Sequence, residues 1–204
     1  MDPGVLEQTL RDEIERGHLP PGTPLKQEEL AARFGVSRQP VRAVLERLLA
    51  ASLLTRMPDR TVAVSEWNPK QARDLIGVRI ALETEALRLS LPHLDDATIR
   101  KARRVSEVLL DEEEAEEIER LDVRFHNLLY GFCGNDRLGK MIEDLRREGR
   151  RIYSMQPRQS QVRTALFEEH QAILAACENR DAKRAVDALS RHLANTIKHI
   201  GDER

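Results

Sequence analysis

The sequence has little of what marks secreted, membrane-spanning or β-rich proteins. Only 3% of its residues are aromatic and only 2 are cysteines. No apolar signal segment opens the chain, and no run of about 20 apolar residues could span a bilayer. Cys133 and Cys177 lie in apolar helical stretches, which indicates small core residues of a reducing compartment. We therefore predict a cytoplasmic protein that is neither exported nor membrane-spanning.

The chain also lacks an excess of charge of either sign. Its formal net charge is -2 and its pI is about 6.3, so a nucleic-acid site has to be a local basic patch. Leu, Ala, Arg and Glu dominate instead, and this composition favours helices over strands. Because 40% of the residues are hydrophobic, the chain can also bury a core. We predict a mainly α fold.

The patterning changes near residue 66. Before that point, short helices and a Pro- and Gly-rich loop lead to a small β-hairpin around MPDRTVAVS. After it every segment has helical periodicity, with short connections at CGND, QPRQ and ENRD. Pro69 fits the first turn of the first of these helices, with Asn68 as its cap. We predict an N-terminal domain at 1–66 and an antiparallel bundle of about six helices at 67–204.

One helix of the first domain has a strongly marked start. Gly35 allows a tight turn, Ser37 can accept a hydrogen bond from the first-turn amides, and Pro40 is tolerated in the first turn. The helix is therefore expected to begin at Arg38. Its apolar stripe should be buried and consists of Val41, Val44, Leu45, Leu48 and Leu49.

This stripe leaves Arg38, Gln39 and Arg42 together at the exposed start of the helix. Two guanidinium groups and an amide suit phosphates and guanine edges in the major groove of DNA. The segment Ser37 to Arg60 contains five arginines and two acidic residues, so its positive charge is local. The pattern indicates either a recognition helix for double-stranded DNA or an ordinary helical hairpin with surface arginines.

These residues resemble the winged helix-turn-helix of GntR-type bacterial regulators. The resemblance is carried by PPGTPLKQEELAARFGVSRQPVRAVLERLLAASLL and covers about residues 5 to 65. It implies that Arg38 and Arg42 contact DNA and that Arg60 lies in the wing. The sequence departs from the family pattern at Ser52, where a Gly is usual, and in the wing, where PDRT contains no Gly.

The second domain contains four candidate metal ligands. Asp122 and His126 are one helical turn apart and point the same way. Neighbouring apolar positions place His170 and His192 on the buried sides of two further helices. Three buried imidazoles without partners would cost several kcal/mol, and a divalent cation removes that cost. For Asp122 and His126 alone, the plainer interpretation is a core histidine bonded to a carboxylate.

Three imidazoles and one carboxylate suit zinc first, with nickel, manganese or iron as alternatives. A single Asp offsets half of a divalent charge, so the ion would still attract an anion. His18, His93 and His199 lie outside this pattern and are interpreted as surface residues. The basic run RREGRR at 146–151 is interpreted as a solvated helix face, with contact to an anion as the alternative.

The ligand pattern over about residues 70 to 200 resembles the helical FCD domain of the FadR subgroup of GntR regulators. That resemblance implies a small carboxylic acid as effector, often bound through the metal. Family members carry an Arg in the first helix of the domain, matched here by Arg79, which could clamp a carboxylate. The alternative for Arg79 is an internal ion pair with Glu83, and the two interpretations are compatible.

We therefore expect a homodimeric transcription regulator that binds a palindromic operator and responds to a small organic acid. A metal sensor is the first alternative, with the cation itself as the signal. A metal-dependent hydrolase or lyase is disfavoured, since there is no HExxH helix and no clear general base beyond the ligands. A DNA-binding protein whose bundle only dimerises is a further alternative.

Overall fold

A computed structural model describes residues 2–66, 69–154 and 160–196 of the chain. These residues form two compact units, the first made of residues 2–66 together with 148–154, and the second of the remainder. Within the described residues, no helix is both long and apolar enough to cross a membrane. Three predictions concern residues outside these ranges. They are the domain boundary between residues 66 and 67, the helix cap at Asn68 and the surface position of His199.

The first unit has three helices followed by a two-stranded antiparallel hairpin that pairs Leu54 with Val64. These elements are α1 (Pro3–Glu15), α2 (Gln27–Phe34), α3 (Arg38–Ala50), β1 (Leu54–Arg56) and β2 (Val62–Val64). The predicted start of α3 and the predicted hairpin are both confirmed.

The core of the first unit joins α1 to α3 and to the hairpin. Of the predicted stripe on α3, Val41, Val44, Leu45 and Leu48 are buried, and Leu49 is partly buried. Residues of the other elements that complete this core include Leu6, Leu10, Ile14, Val62 and Val64. The start of α3 is thereby fixed on one side by packing and open to solvent on the other.

The ends of α2 and α3 share one backbone motif. Gly35 and Ser52 both have a positive φ, of 63° and 58°. After α3, the amide of Ser52 donates to Leu49 and that of Leu53 donates to Leu48, which is a Schellman termination. This left-handed position explains why the family pattern has Gly where this chain has Ser52.

One local prediction for α3 is wrong. Ser37 is the N-terminal cap residue, but its side chain makes no capping hydrogen bond. The start of this helix is therefore favoured by Pro40 in its first turn and by packing of its apolar stripe.

Residues 69–154 and 160–196 form six α-helices and a short 3₁₀ turn at Leu91–His93, so the predicted fold class is confirmed. The last residues of the fourth of these helices, 148–154, belong to the first unit. The helices are α4 (Pro69–Ser90), α5 (Asp96–Asp111), α6 (Ala115–Tyr130), α7 (Asp136–Ser154), α8 (Ser160–Glu178) and α9 (Ala182–Asn195). α5 packs against α6 and α8, and α9 packs against α4 and α8.

The second core is built from apolar residues that flank the three histidines along their helices. Phe125 precedes His126 on α6, Ile173 lies one turn after His170 on α8, and Leu193 follows His192 on α9. Because these neighbours are buried, the histidine rings also point into the bundle. Burial of the core thus positions the candidate ligands.

Candidate metal centre and DNA-binding surface

The four predicted metal ligands meet inside the second unit. Asp122 and His126 come from α6, His170 from α8 and His192 from α9. One ligand atom from each residue lies within 4.8 Å of the other three. The three histidines are only 1%, 1% and 3% exposed. Three separate helices therefore bring a compact donor set together in the bundle interior.

The distances within this cluster are short. Nε2 of His126 lies 3.3 Å from Nε2 of His192 and 3.6 Å from Oδ1 of Asp122. The ring of His170 stacks on Phe125, with centroids 3.9 Å apart. The aromatic stacking and the helix packing leave the rings little freedom to turn away from one another.

Two buried nitrogens of the cluster have no hydrogen-bond partner within the part of the chain that the structure describes. They are Nδ1 of His126 and Nε2 of His170. Leaving such a group unsatisfied costs about 1 to 3 kcal/mol. Nδ1 of His170 contacts Ser106, so its Nε2 is the nitrogen available to a cation, which would satisfy it. Nδ1 of His126 is on the other side of its ring from the Nε2 that lies near His192, so a cation in the cluster would not reach it. The unsatisfied Nε2 of His170 therefore supports a metal ion at this donor set.

Burial and neighbouring charges keep the rings of His126 and His170 neutral, and the neutral imidazole is the form that binds a metal ion. Burial, reinforced by the positive Arg146, lowers the pKa of His126 from 6.5 to about 4. Burial and the neighbouring His192 lower the pKa of His170 well below its usual value. Burial would raise the pKa of the Asp122 carboxyl, but His126 and Arg146 outweigh it and hold that pKa well below its usual range. At neutral pH His126 and His170 are therefore neutral imidazoles and Asp122 is a carboxylate.

Two of the histidines have polar partners behind the cluster that could not be recognised from the sequence. Nδ1 of His192 lies 2.8 Å from a carboxylate oxygen of Glu169. Nδ1 of His170 lies 3.3 Å from the hydroxyl of Ser106. Each partner sits on a different helix from the ring it contacts, so no spacing along the chain could have indicated it.

Arg146 departs from the predicted solvated face. It is only 7% exposed and bridges the carboxylates of the buried Glu83 and the partly buried Asp122. Its Nη2 donates to Glu83 at 2.8 Å and its Nη1 donates to Asp122 at 3.1 Å. The prediction of a solvated face was wrong for this residue, because Arg146 lies on the side of α7 that faces α4 and α6. Arg146 therefore links the candidate ligand Asp122 to Glu83 on α4.

Arg79 forms the internal ion pair that was one of its two interpretations. It is 0% exposed, and its Nε donates to Glu83 at 2.8 Å. The hydroxyl of Tyr130 also donates to Glu83, at 2.9 Å. Burial would raise the pKa of Glu83, but Arg146 and Arg79 lower it to about 2. A role for Arg79 in binding an effector stays a prediction.

In the first unit, Arg38, Gln39 and Arg42 are exposed at the start of α3. Arg38 forms a 2.8 Å ion pair with Glu28, at the first turn of α2. Arg60 is exposed in the hairpin turn, with a φ of 68° where a Gly is the usual residue.

The surface arginines differ in how they are paired. Arg47 contacts Glu7, and Arg56 contacts Glu46, so part of the local positive charge is neutralised. Among the described residues, Arg42 and Arg60 have no ion-pair partner. Of the five arginines between Ser37 and Arg60, these two therefore have their guanidinium groups available for a DNA phosphate or base.

The remaining histidines and the cysteines agree with the sequence. His18 and His93 are exposed. Cys133 and Cys177 are free thiols, the second buried. None of these residues belongs to the cluster of candidate ligands.

A helix-turn-helix with a β-hairpin, followed by a helical unit with an interior cluster of candidate ligands, is typical of bacterial transcription regulators. Comparison with protein families agrees. The model of the gntR family of bacterial regulatory proteins matches residues 5–64, and the FCD domain model matches residues 74–195. The chain belongs to the GntR family and carries an FCD domain.

Individual relatives point the same way. The chain is 26% identical to the HTH-type transcriptional repressor RspR of Escherichia coli, over 97% of this chain and 90% of RspR. It is 30% identical to the HTH-type transcriptional regulator BphR of Paraburkholderia xenovorans, over 95% of this chain and 82% of BphR. These relatives are regulators rather than enzymes, which confirms the prediction that the chain is not an enzyme.

Solved structures show the same architecture. A GntR family member from Pseudomonas syringae has a TM-score of 0.57 at 36% identity, covering 97% of this chain and 84% of that one. A GntR regulator from Rhodococcus has a TM-score of 0.78 at 19% identity and 99% coverage of both chains. The metal-free FCD domain of a further regulator covers 66% of this chain at 18% identity, with a TM-score of 0.57.

Proposed function

We propose that this protein is a regulator of the FadR subgroup that binds a palindromic operator as a homodimer in the cytoplasm. A small carboxylate, held at a divalent ion on Asp122, His126, His170 and His192, would change its affinity for the operator. The observation that carries the proposal is the convergence of these four ligand atoms, within 4.8 Å of one another, in the interior of the bundle.

The donor set supports a transition-metal ion as cofactor. Imidazoles and carboxylates are common zinc ligands, and nickel, manganese and iron accept them too. A solved FCD domain is described as metal-free, which marks the presence of metal as a variable of that domain. When bound, the ion would supply a positive anchor with an exchangeable position for an oxygen of the effector.

The surrounding charges favour an anionic effector. Arg79 and Arg146 balance Glu83 and Asp122, so a divalent ion would add positive charge that these carboxylates do not offset. Arg79 could also clamp a carboxylate, provided that the effector reaches its guanidinium. We therefore expect a small organic acid rather than a cation or a neutral sugar.

The DNA-binding residues proposed for the operator are Arg38, Gln39, Arg42 and Arg60. Arg42 and Gln39 would lie against base edges, while Arg38 would exchange Glu28 for a phosphate. Arg60 would approach the DNA backbone from the hairpin turn. A homodimer would repeat this contact, so the operator is expected to have twofold symmetry.

The proposal requires the effector to favour one arrangement of the dimer over another, because only a difference in affinity can shift an equilibrium. The full-length zinc-loaded protein would first select its operator from a pool of random DNA. Operator affinity would then be measured while a panel of mono-, di- and tricarboxylates is titrated. At least one acid should change the affinity by about fivefold or more.

Two variants make this test specific. His126→Ala should abolish the response to the acid, whereas His93→Ala, which changes an exposed histidine, should respond like the wild type. Indifference of the zinc-loaded wild type to every acid would refute the effector. If operator affinity instead followed zinc concentration alone, the cation itself would be the signal.

A further inference from the structure

We infer that Glu169 is a positioning residue of the metal centre, acting through His192. This inference rests on the proposed metal site, because a positioning role requires an ion to be bound. Glu169 lies on α8 directly before the ligand His170, but its carboxylate reaches across to α9. It is thus placed to orient a ring that another helix contributes.

The contact fixes the ring at its rear nitrogen. Oε2 of Glu169 lies 2.8 Å from Nδ1 of His192, a good distance for a charge-assisted hydrogen bond. A carboxylate only accepts, so Nδ1 must carry the proton. A neutral ring with a proton on Nδ1 has its lone pair on Nε2. That atom faces His126, at 3.3 Å, inside the cluster.

Glu169 is itself held in place. Its second oxygen, Oε1, accepts a hydrogen bond from the side-chain amide of Asn195, one turn beyond His192 on α9. The carboxylate therefore has one contact to the ring and one to the helix that carries the ring. This arrangement crosslinks α8 to α9 and restricts both the tilt and the rotation of the imidazole.

The three rings of the cluster differ in this respect. Behind His192 stands a carboxylate, and behind His170 stands the neutral hydroxyl of Ser106, at the longer distance of 3.3 Å. Nδ1 of His126 has no hydrogen-bond partner among the described residues. A carboxylate polarises an imidazole more than a hydroxyl does and makes it a stronger ligand. His192 is the ring that is best prepared for a cation.

Residues behind a metal ligand typically contribute about 10-fold to 100-fold in metal affinity. We therefore expect Glu169→Ala to weaken cobalt binding by about that factor. Glu169→Gln keeps an acceptor but loses the charge, and neutral hydrogen bonds are about half as strong. Its loss should be about threefold to tenfold. Glu168→Ala is the matched control, since Glu168 is the exposed neighbour on the same helix.

The experiment uses the full chain after chelator treatment, with Co²⁺ as the probe. The absorption bands of the bound ion give its dissociation constant and report its ligand geometry. Nitrogen-15 NMR of the metal-depleted protein gives the tautomer of His192, which a merely structural role would not change. Wild type, Glu168→Ala and Glu169→Gln should hold the proton on Nδ1, while Glu169→Ala should lose this preference.

The outcomes separate the two claims. A wild-type protein that binds no Co²⁺ would overturn the proposed metal site. Cobalt binding by wild type with an unchanged constant and unchanged tautomer in Glu169→Ala would overturn only the inference on Glu169. If Glu169→Ala fails to fold, Glu169→Gln decides: a wild-type constant in that variant counts against the inference, and an intermediate constant with the Nδ1 tautomer supports it.

Discussion

The ion pairs beside the candidate DNA-binding residues of the first unit and those beside the candidate metal ligands of the second unit lie in different environments. In the first, ion pairs such as Arg38–Glu28 lie at the surface, where such pairs contribute about 0 to 1 kcal/mol. In the second, Arg79 and Glu83 pair at 0% exposure, where the loss of one partner costs several kcal/mol. The difference teaches that surface arginines can exchange their partners for phosphates, whereas the interior charges are committed to one arrangement.

The largest expected effect comes from breaking the interior network. Arg146→Met removes a partner from both Glu83 and Asp122, and the free energy of unfolding should fall by about 3 kcal/mol. Arg147→Met is the matched control, because Arg147 is more exposed and its carboxylate contacts are 3.6 Å or longer. Urea unfolding of both variants measures the difference. Equal losses would show that the interior pairing is no stronger than the surface pairing.

The next effect concerns pH. The pKa of His126 is lowered from 6.5 to about 4, so the unfolded chain binds a proton in this range that the folded chain does not. The shift of His126 should therefore contribute stability to the metal-depleted protein that is present above about pH 6.5 and falls by about 2 to 3 kcal/mol towards pH 4, and the lowered pKa of His170 adds a loss of the same sign. Urea unfolding across this range measures the slope.

Two substitutions check the origin of that slope. His126→Gln, which has no titrating group at this position, should make the slope shallower and leave the part that comes from His170, and His93→Gln on the surface should leave it unchanged. An unaltered slope in His126→Gln would mean that other groups cause the loss of stability in acid.

The next prediction concerns DNA binding by Arg42, an exposed arginine of the first unit that has no ion-pair partner among the described residues. Arg42→Ala should weaken operator binding by about 1 to 3 kcal/mol and relax the base preference at one position of each half-site. Folding stability should stay within about 0.5 kcal/mol of wild type, since Arg42 is exposed. Arg73→Ala, the same change on an exposed site of α4, serves as the control. Operator affinity that is unchanged in Arg42→Ala would place the base contacts elsewhere.

The smallest expected effect is a gain. Ser52 adopts a φ of 58° at the end of α3, and Gly reaches this region without the steric cost that a side chain carries. Ser52→Gly should stabilise the chain by about 0.5 to 1 kcal/mol, measured by thermal unfolding. Gly35→Ala places a side chain at the equivalent end of α2 and should destabilise by a similar amount. A loss of stability in Ser52→Gly would show that the hydroxyl has a role that the backbone does not reveal.

The sequence predicted those features that depend on local spacing. The start of α3 at Arg38 follows from Pro40 and the apolar stripe, and the placement of His170 and His192 follows from the buried positions beside them. Contacts between helices carry no such signal. Arg146 looks like part of a solvated basic run, and Glu169 like an ordinary acidic residue on α8, until folding places each next to a partner on another helix.

The cap of α3 was harder to predict than the burial of the histidines. The cap at Ser37 was predicted to use its side chain, yet packing of Val41, Val44 and Leu45 holds α3 without it. A capping hydrogen bond and packing of an apolar stripe can each stabilise the start of a helix, so the sequence alone does not show which of them is used. A buried histidine has fewer alternatives, because the cost of leaving it unsatisfied excludes most of them.

The central claim is that four side chains from three helices form one cation site. Calorimetric titration of zinc into the chelator-treated chain tests it directly, with His126→Ala beside the exposed-site variant His93→Ala. We predict that wild type and His93→Ala bind about one ion per chain tightly, and that His126→Ala binds it about 100-fold more weakly or not at all. Equal zinc binding by all three proteins, or none by wild type, would contradict the account.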